Sequence, residues 1–196
     1  ARPERLPGSG THWSDYVKGV VCVLGSAGHE TQGLDLAVSS RVPIGAGLSS
    51  SAAFTVSLAT IFSLAEGWQL SARACAEIAH RAESEYLGIG CGILDQFASA
   101  LGERDRALVI DCRSREVRPI DLPVGAVRLL VSDSGIRRSL AEVDSGYRMR
   151  VAECRQAREI GGVDSLRDWT SADLPRLASL LEPALFRRVR HVTREN

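Results

Sequence analysis

Pro43-Ile44-Gly45-Ala46-Gly47-Leu48-Ser49-Ser50-Ser51-Ala52-Ala53 is the stretch whose reading decides the fold. It follows Leu34 to Val42, where Leu34, Leu36 and Val38 alternate as in a half-buried strand that Pro43 stops. It leads into Ser50 to Glu66, whose apolar and small residues predict a buried helix closed by Gly67. Strand, glycine turn and helix in that order leave unpaired backbone N–H groups at the positive end of a helix dipole, which is an anion site. Gly45 and Gly47 let the backbone curl around a phosphate at φ values that other residues avoid. An ordinary glycine turn with a serine N-cap is the competing reading. Three consecutive serines followed by two alanines shift the balance towards phosphate.

Composition narrows the classes. The 196 residues suffice for one large domain or two small ones, and 44% hydrophobic with 24% charged residues is ordinary for a soluble globular protein. Lys+Arg 24 balances Asp+Glu 24, so no general attraction to nucleic acid or to acidic membranes is expected. Lys18 is the only lysine and lies far from the glycine loop, so a nucleotide held there is not held by a Walker-type loop. The five cysteines (Cys22, Cys75, Cys91, Cys112, Cys154) are odd in number and scattered, as buried free thiols of a reducing compartment would be. His12, His29, His80 and His191 show no zinc-ligand spacing with them. Neither a signal peptide nor a membrane-spanning apolar run is found, and a cytoplasmic location is expected. The chain starts at Ala1, has Met149 as its one methionine and ends in a helix-like charged run, Arg187 to His191. An internal piece of a longer protein is expected.

Trp13 to Val20 predicts a short amphipathic helix with Trp13, Tyr16, Val17 and Val20 on one face. Further helices are expected over Ser71 to Tyr86, capped by Ser71, and over Gly92 to Leu101, with Ile93, Phe97 and Leu101 on one face. Ser145 to Ile160 and two segments after Ala172 are also expected to be helical. Ala107 to Cys112 and Val117 to Leu122 predict a strand pair, Val127 to Val131 predicts another strand, and Pro123-Val124-Gly125 is the candidate domain boundary.

A second constellation is Gly90-Cys91-Gly92-Ile93-Leu94-Asp95-Gln96-Phe97. Asp95 sits in a first helical turn, where the dipole alone favours a carboxylate. Glu83 lies among Arg81 and Glu85, where a solvated helix face is the ordinary explanation. Together with the serine-rich loop, however, these segments resemble the sugar and small-molecule kinase superfamily called GHMP, and within it the galactokinase family. The likeness extends to Trp13–Val20, to Ala107-Leu108-Val109-Ile110-Asp111-Cys112-Arg113-Ser114, and to Arg138-Ser139-Leu140 followed by Tyr147 and Cys154.

The resemblance implies a mixed α/β fold. A ribosomal-protein-S5-domain-2-like N-terminal domain would occupy 1–124, and an incomplete ferredoxin-like C-terminal domain 125–196. Pro43, Gly45, Ala46, Gly47, Leu48, Ser49, Ser50 and Ser51 match the ATP phosphate loop. Ser51 and Glu83 match the pair that holds Mg²⁺. Asp95 matches the acid beside the attacking sugar hydroxyl, and Gly92 and Tyr147, with Asp95, match the sugar pocket. The implied reaction is transfer of the ATP γ-phosphate to the anomeric hydroxyl of galactose by a monomer, with no nucleic-acid or membrane partner. A sibling kinase for N-acetylgalactosamine or arabinose, or a catalytically inactive sugar and ATP sensor, would carry much of the same pattern. The family's upstream sugar-reading motif and its C-terminal glycine-rich loop are not found in this sequence, so the piece alone is expected to be inactive. Ser132 to Arg137 also departs from the commonest galactokinase version.

Overall fold

Residues 12–136 and 146–195 are described by a computed structural model of the protein. The chain divides into two compact units, Ala1–Ser139 and Leu140–Asn196. The first runs α1 (Ser14–Ser26), α2 (Ser50–Ala65), α3 (Ala72–Arg81), a π-helical turn (Ala82–Tyr86) and α4 (Leu94–Leu101). It closes with the antiparallel hairpin β1 (Arg106–Asp111) and β2 (Glu116–Asp121).

Helix α2 is the centre of this unit, in contact with α1, α3 and α4. Leu58, Ala59 and Phe62 meet Val20, Val23 and Leu24 of α1 and Cys75 and Ile78 of α3 in one buried cluster. Full burial of each large apolar side chain is worth roughly 1.5–3 kcal/mol, which fixes the faces that the helices present. Gly19 lets α1 come close to the π-helical turn, because a Cβ there would lie 3.1 Å from the Tyr86 ring and 3.3 Å from the Ala82 carbonyl. A second cluster, Ala76, Ile93 and Phe97, packs on Ile110 and Val117 and so seats the hairpin against α4. The hairpin turn is closed by Asp111 Oδ1, which accepts from the N–H groups of Arg113 (2.8 Å) and Ser114 (3.1 Å).

The expected helices and the strand pair form, and Ser71 caps α3 by accepting from the Ala74 N–H. Several expectations need correction. Leu34 to Val42 is irregular and mostly exposed, because no strand among the described residues lies beside it to complete a ladder. Val127 to Val131 is irregular for the same reason, with Leu130 92% exposed. Trp13 precedes α1 and stays 60% exposed, so the buried face of that helix starts at Asp15. Of the cysteines, only Cys75 is buried outright, and Cys112 is exposed.

The second unit comprises α5 (Gly146–Gly161), α6 (Leu174–Leu180) and α7 (Pro183–Glu195), with two short 3₁₀ turns before α6. Its described residues carry helices and no strand. The turns open on capping boxes, Ser165 with Asp168 and Thr170 with Asp173. Ala157, Trp169, Leu177, Leu185 and Val189 form its core, and Glu153 of α5 accepts from Arg188 of α7 at 2.7 Å.

Candidate active site

The loop before α2 is built from backbone. Gly45 (φ 70), Gly47 (φ 76) and Ser49 (φ 54) alternate in the left-handed region, turning the chain tightly into the helix. Ser49 occupies the N-cap, yet its side chain makes no capping hydrogen bond. A serine cap is therefore not what this stretch forms. The first helical bond runs from the Ala53 N–H to the Ser49 carbonyl at 3.0 Å, so the N–H groups of Ser50, Ser51 and Ala52 have no acceptor within α2. Pro43, Ile44, Gly47 and Leu48 are exposed, and Gly45, Ala46, Ser49, Ser50 and Ser51 are half-buried. A non-glycine residue in the left-handed region costs about 1–2 kcal/mol, a strain that an occupied anion site at the helix start would repay.

One helical turn into α2, the construction changes from backbone to side chains. Glu83, carried by the π-helical turn, is 2% exposed. Its Oε1 accepts from Thr55 Oγ1 at 3.0 Å and from Gln96 Nε2 at 3.1 Å, and the Ser51 hydroxyl favours its charged form. The solvated-face reading of Glu83 is thus corrected: the π turn faces it inward, onto α2 and α4. Burial pushes its carboxyl above the ordinary 4.5, the donors from Ser51, Gln96 and Thr55 act against that, and the negative charge of Asp95 adds to it. The same corner raises Tyr16 and pushes the Cys91 thiol up to about 11, in both cases by burial first and the Glu83 charge second.

Ser51, Glu83 and the neighbourhood of Asp95 are therefore brought together within the first unit. Asp95 is half-buried in the first turn of α4, next to Gln96, which is 1% exposed. Gly92 is exposed just before that helix, and a Cβ there would meet nothing within 4 Å. Tyr147 lies at the start of α5 in the second unit, 39% exposed. Arg138, Ser139 and Leu140 lie outside the described residues.

Thr55 and Gln96 are site residues that motif reading passed over. Their signal was positional: Thr55 falls one turn after Ser51 on the same side of α2, and Gln96 directly follows Asp95.

The donor set suits Mg²⁺. Glu83 is a buried carboxylate that no Lys, Arg or His among the described residues pairs with, and the nearby protein oxygens are hard. Gln96 Oε1, also buried, has no hydrogen-bond partner. Among the described residues no group of three or more His, Cys, Asp or Glu could hold a metal. Mg²⁺ does not require one, since it keeps several waters and takes one or two protein oxygens beside phosphate.

Comparison with known proteins defines the class. Residues 15–103, which run from within α1 to just past α4 and include the loop 43–51, Glu83 and Asp95, match the family described as GHMP kinases N terminal domain. Over those residues the chain is similar to the N-terminal domain of the GHMP kinases. Within that class the galactokinase of Chloroflexus aggregans is 43% identical over 189 residues, and that of Chloroflexus aurantiacus 41% identical over 189 residues. Each alignment covers 94% of this chain and 48% of the relative, so the chain spans about half the length of the galactokinases it matches. The crystal structure of Lactococcus lactis galactokinase complexed with galactose superimposes with a TM-score of 0.81 at 26% identity, over 99% of this chain and 51% of that one. The fold is an incomplete GHMP fold, mixed helix and strand with a small antiparallel sheet.

Proposed function

We propose that the protein carrying this chain is an ATP-dependent sugar 1-kinase that transfers the γ-phosphate of ATP to the anomeric hydroxyl of galactose. The observation that carries the reading is the convergence of the open loop 43–51, the buried Glu83 and Asp95 inside one domain. The loop amides, with Ser49, Ser50 and Ser51, hold the phosphates of ATP. Ser51 and Glu83 are the residues that would hold Mg²⁺, which when bound neutralises phosphate charge during phosphoryl transfer. Asp95 orients the attacking hydroxyl and takes up its proton, a contribution typically worth about 10²–10⁴ in rate. Gly92 contributes to the sugar pocket, which needs further residues to read the remaining hydroxyls.

Support for galactose comes from the curated relatives and from the galactose complex of the similar structure. The departure at Ser132 to Arg137 favours a second reading, a sibling kinase for N-acetylgalactosamine or arabinose. We also propose the division into an N-terminal domain over 1–124 and the beginning of a C-terminal domain over 125–196, a monomeric state and a cytoplasmic location. Among the described residues no helix is long and apolar enough to cross a membrane. The test is a phosphorylation assay of the complete protein with MgATP and a panel of hexoses and pentoses. Galactose 1-phosphate as the main product is expected, and preference for another sugar would move the assignment to the sibling.

A further inference from the structure

Gln96 has no role in the proposed reaction, yet its side chain is held deep in the site. It is 1% exposed, its Nε2 donates to Glu83 Oε1 at 3.1 Å, and its own Oε1 meets no donor. The amide cannot simply be turned over, because its carbonyl oxygen would then face a carboxylate oxygen, and both are acceptors. A buried polar atom left unpaired is destabilising, so such atoms are rare unless something fills the need. Ile93 and Phe97 beside it are apolar and buried, so a Met or Leu at position 96 would pack there without that cost. The Cys91 thiol lies against the same amide but leaves this oxygen without a partner.

Two needs meet at this point. The Glu83 carboxylate needs a cation, and the Gln96 carbonyl oxygen needs a hydrogen-bond donor. A hydrated Mg²⁺ supplies both, since it carries positive charge and keeps waters whose hydrogens are strong donors. We propose that Gln96 is a positioning residue that fixes the Glu83 carboxylate through its N–H and receives a hydrogen bond from the hydration shell of the bound cation through its carbonyl. One side chain thereby links the cation side of the site to the helical turn that carries Asp95. The inference rests on the reading of Glu83 as a Mg²⁺ ligand.

The test is the thermal unfolding midpoint of the complete protein with ATP, titrated with MgCl₂, for the parent, Glu83→Gln, Gln96→Met and Gln96→Glu. Loss of a partner beyond the metal's own ligands typically weakens metal affinity about 10- to 100-fold. Gln96→Met should therefore raise the half-saturating Mg²⁺ concentration at least about tenfold. Gln96→Glu keeps acceptor oxygens and side-chain length but sets a second carboxylate against Glu83. Its midpoint should rise more on adding Mg²⁺ than the parent's does, a readout that survives if Gln96→Met does not fold. Equal half-saturation in parent and Gln96→Met, or no greater Mg²⁺ stabilisation of Gln96→Glu, overturns the role of Gln96 while Glu83→Gln still abolishes the Mg²⁺ response. A parent without a Mg²⁺ response, or a Glu83→Gln variant with the parent's response, overturns the metal reading and Gln96 with it.

Discussion

The loop 43–51 and the Glu83 corner are neighbours on α2, and they solve opposite problems. The loop presents backbone, half-buried to exposed, with the Ser50, Ser51 and Ala52 amides free of an acceptor within α2. The corner presents side chains, buried and largely hydrogen-bonded to one another. A site that must admit a large anion and then hold a small cation needs both kinds of construction. In the proposed function, phosphate contact is shared among several N–H groups and would tolerate changes of individual side chains. The carboxylate has a fixed address, set by a π turn, a threonine and a glutamine.

That difference predicts which substitutions affect binding and which affect the fold. The largest effect belongs to the corner. Ser51→Ala combined with Glu83→Gln should weaken Mg²⁺-dependent nucleotide binding by about 100-fold or more, beyond the usual cost of losing an outer partner. Calorimetric titration with and without Mg²⁺ checks this, and unchanged isotherms would remove the metal pair from the account. Next comes the loop. Gly47→Ala forces a Cβ into the left-handed region at φ +76, where it meets no neighbour within 4 Å. The strain of about 1–2 kcal/mol should appear as roughly 5- to 30-fold weaker nucleotide binding, because the exposed loop yields before the fold does. A large drop in unfolding midpoint with intact affinity would invert the comparison.

Smaller effects separate the regions further. Thr55→Val deletes a donor to the buried carboxylate and should cost about 1–2 kcal/mol in urea unfolding. Ser50→Ala, at the open end of α2, should leave stability within about 0.5 kcal/mol. Equal costs for the two would erase the distinction between a closed corner and an open loop. The smallest effect is the pH dependence in the absence of Mg²⁺. Burial holds the Glu83 carboxyl above its ordinary 4.5, so the folded protein binds this proton more tightly than the unfolded chain. Its contribution to stability is complete below about pH 4.5 and is lost as pH rises through the folded value. Glu83→Gln should flatten that slope in urea midpoints, and an unchanged slope would assign it to other groups.

Much of this was legible before any coordinates. The serine-rich loop, the Ser71 cap, the apolar face of α4 and the hairpin 106–121 depend on local chemistry, which periodicity and turn residues report. The strand over Leu34 to Val42 was not, because alternation gives a strand its faces but pairing needs a neighbour, and none stands beside it among the described residues. Glu83 could not be told from a solvated glutamate by its helix alone. Its burial comes from the π turn at Ala82–Tyr86, which re-aims the side chain towards α2 and α4. Gln96 was overshadowed by Asp95 because an amide carries no charge pattern and shows its role only through its partners.

The central claim is that the loop and Glu83 bind MgATP while Asp95 serves the acceptor sugar. The most direct test is Asp95→Asn in the complete protein, with MgATP-dependent phosphorylation of galactose and nucleotide binding measured on one preparation. Turnover should fall by about 10²–10⁴ while nucleotide affinity stays within about twofold of the parent. Undiminished turnover, or nucleotide binding lost together with turnover in a folded variant, would contradict the division of roles between the two sides of the site.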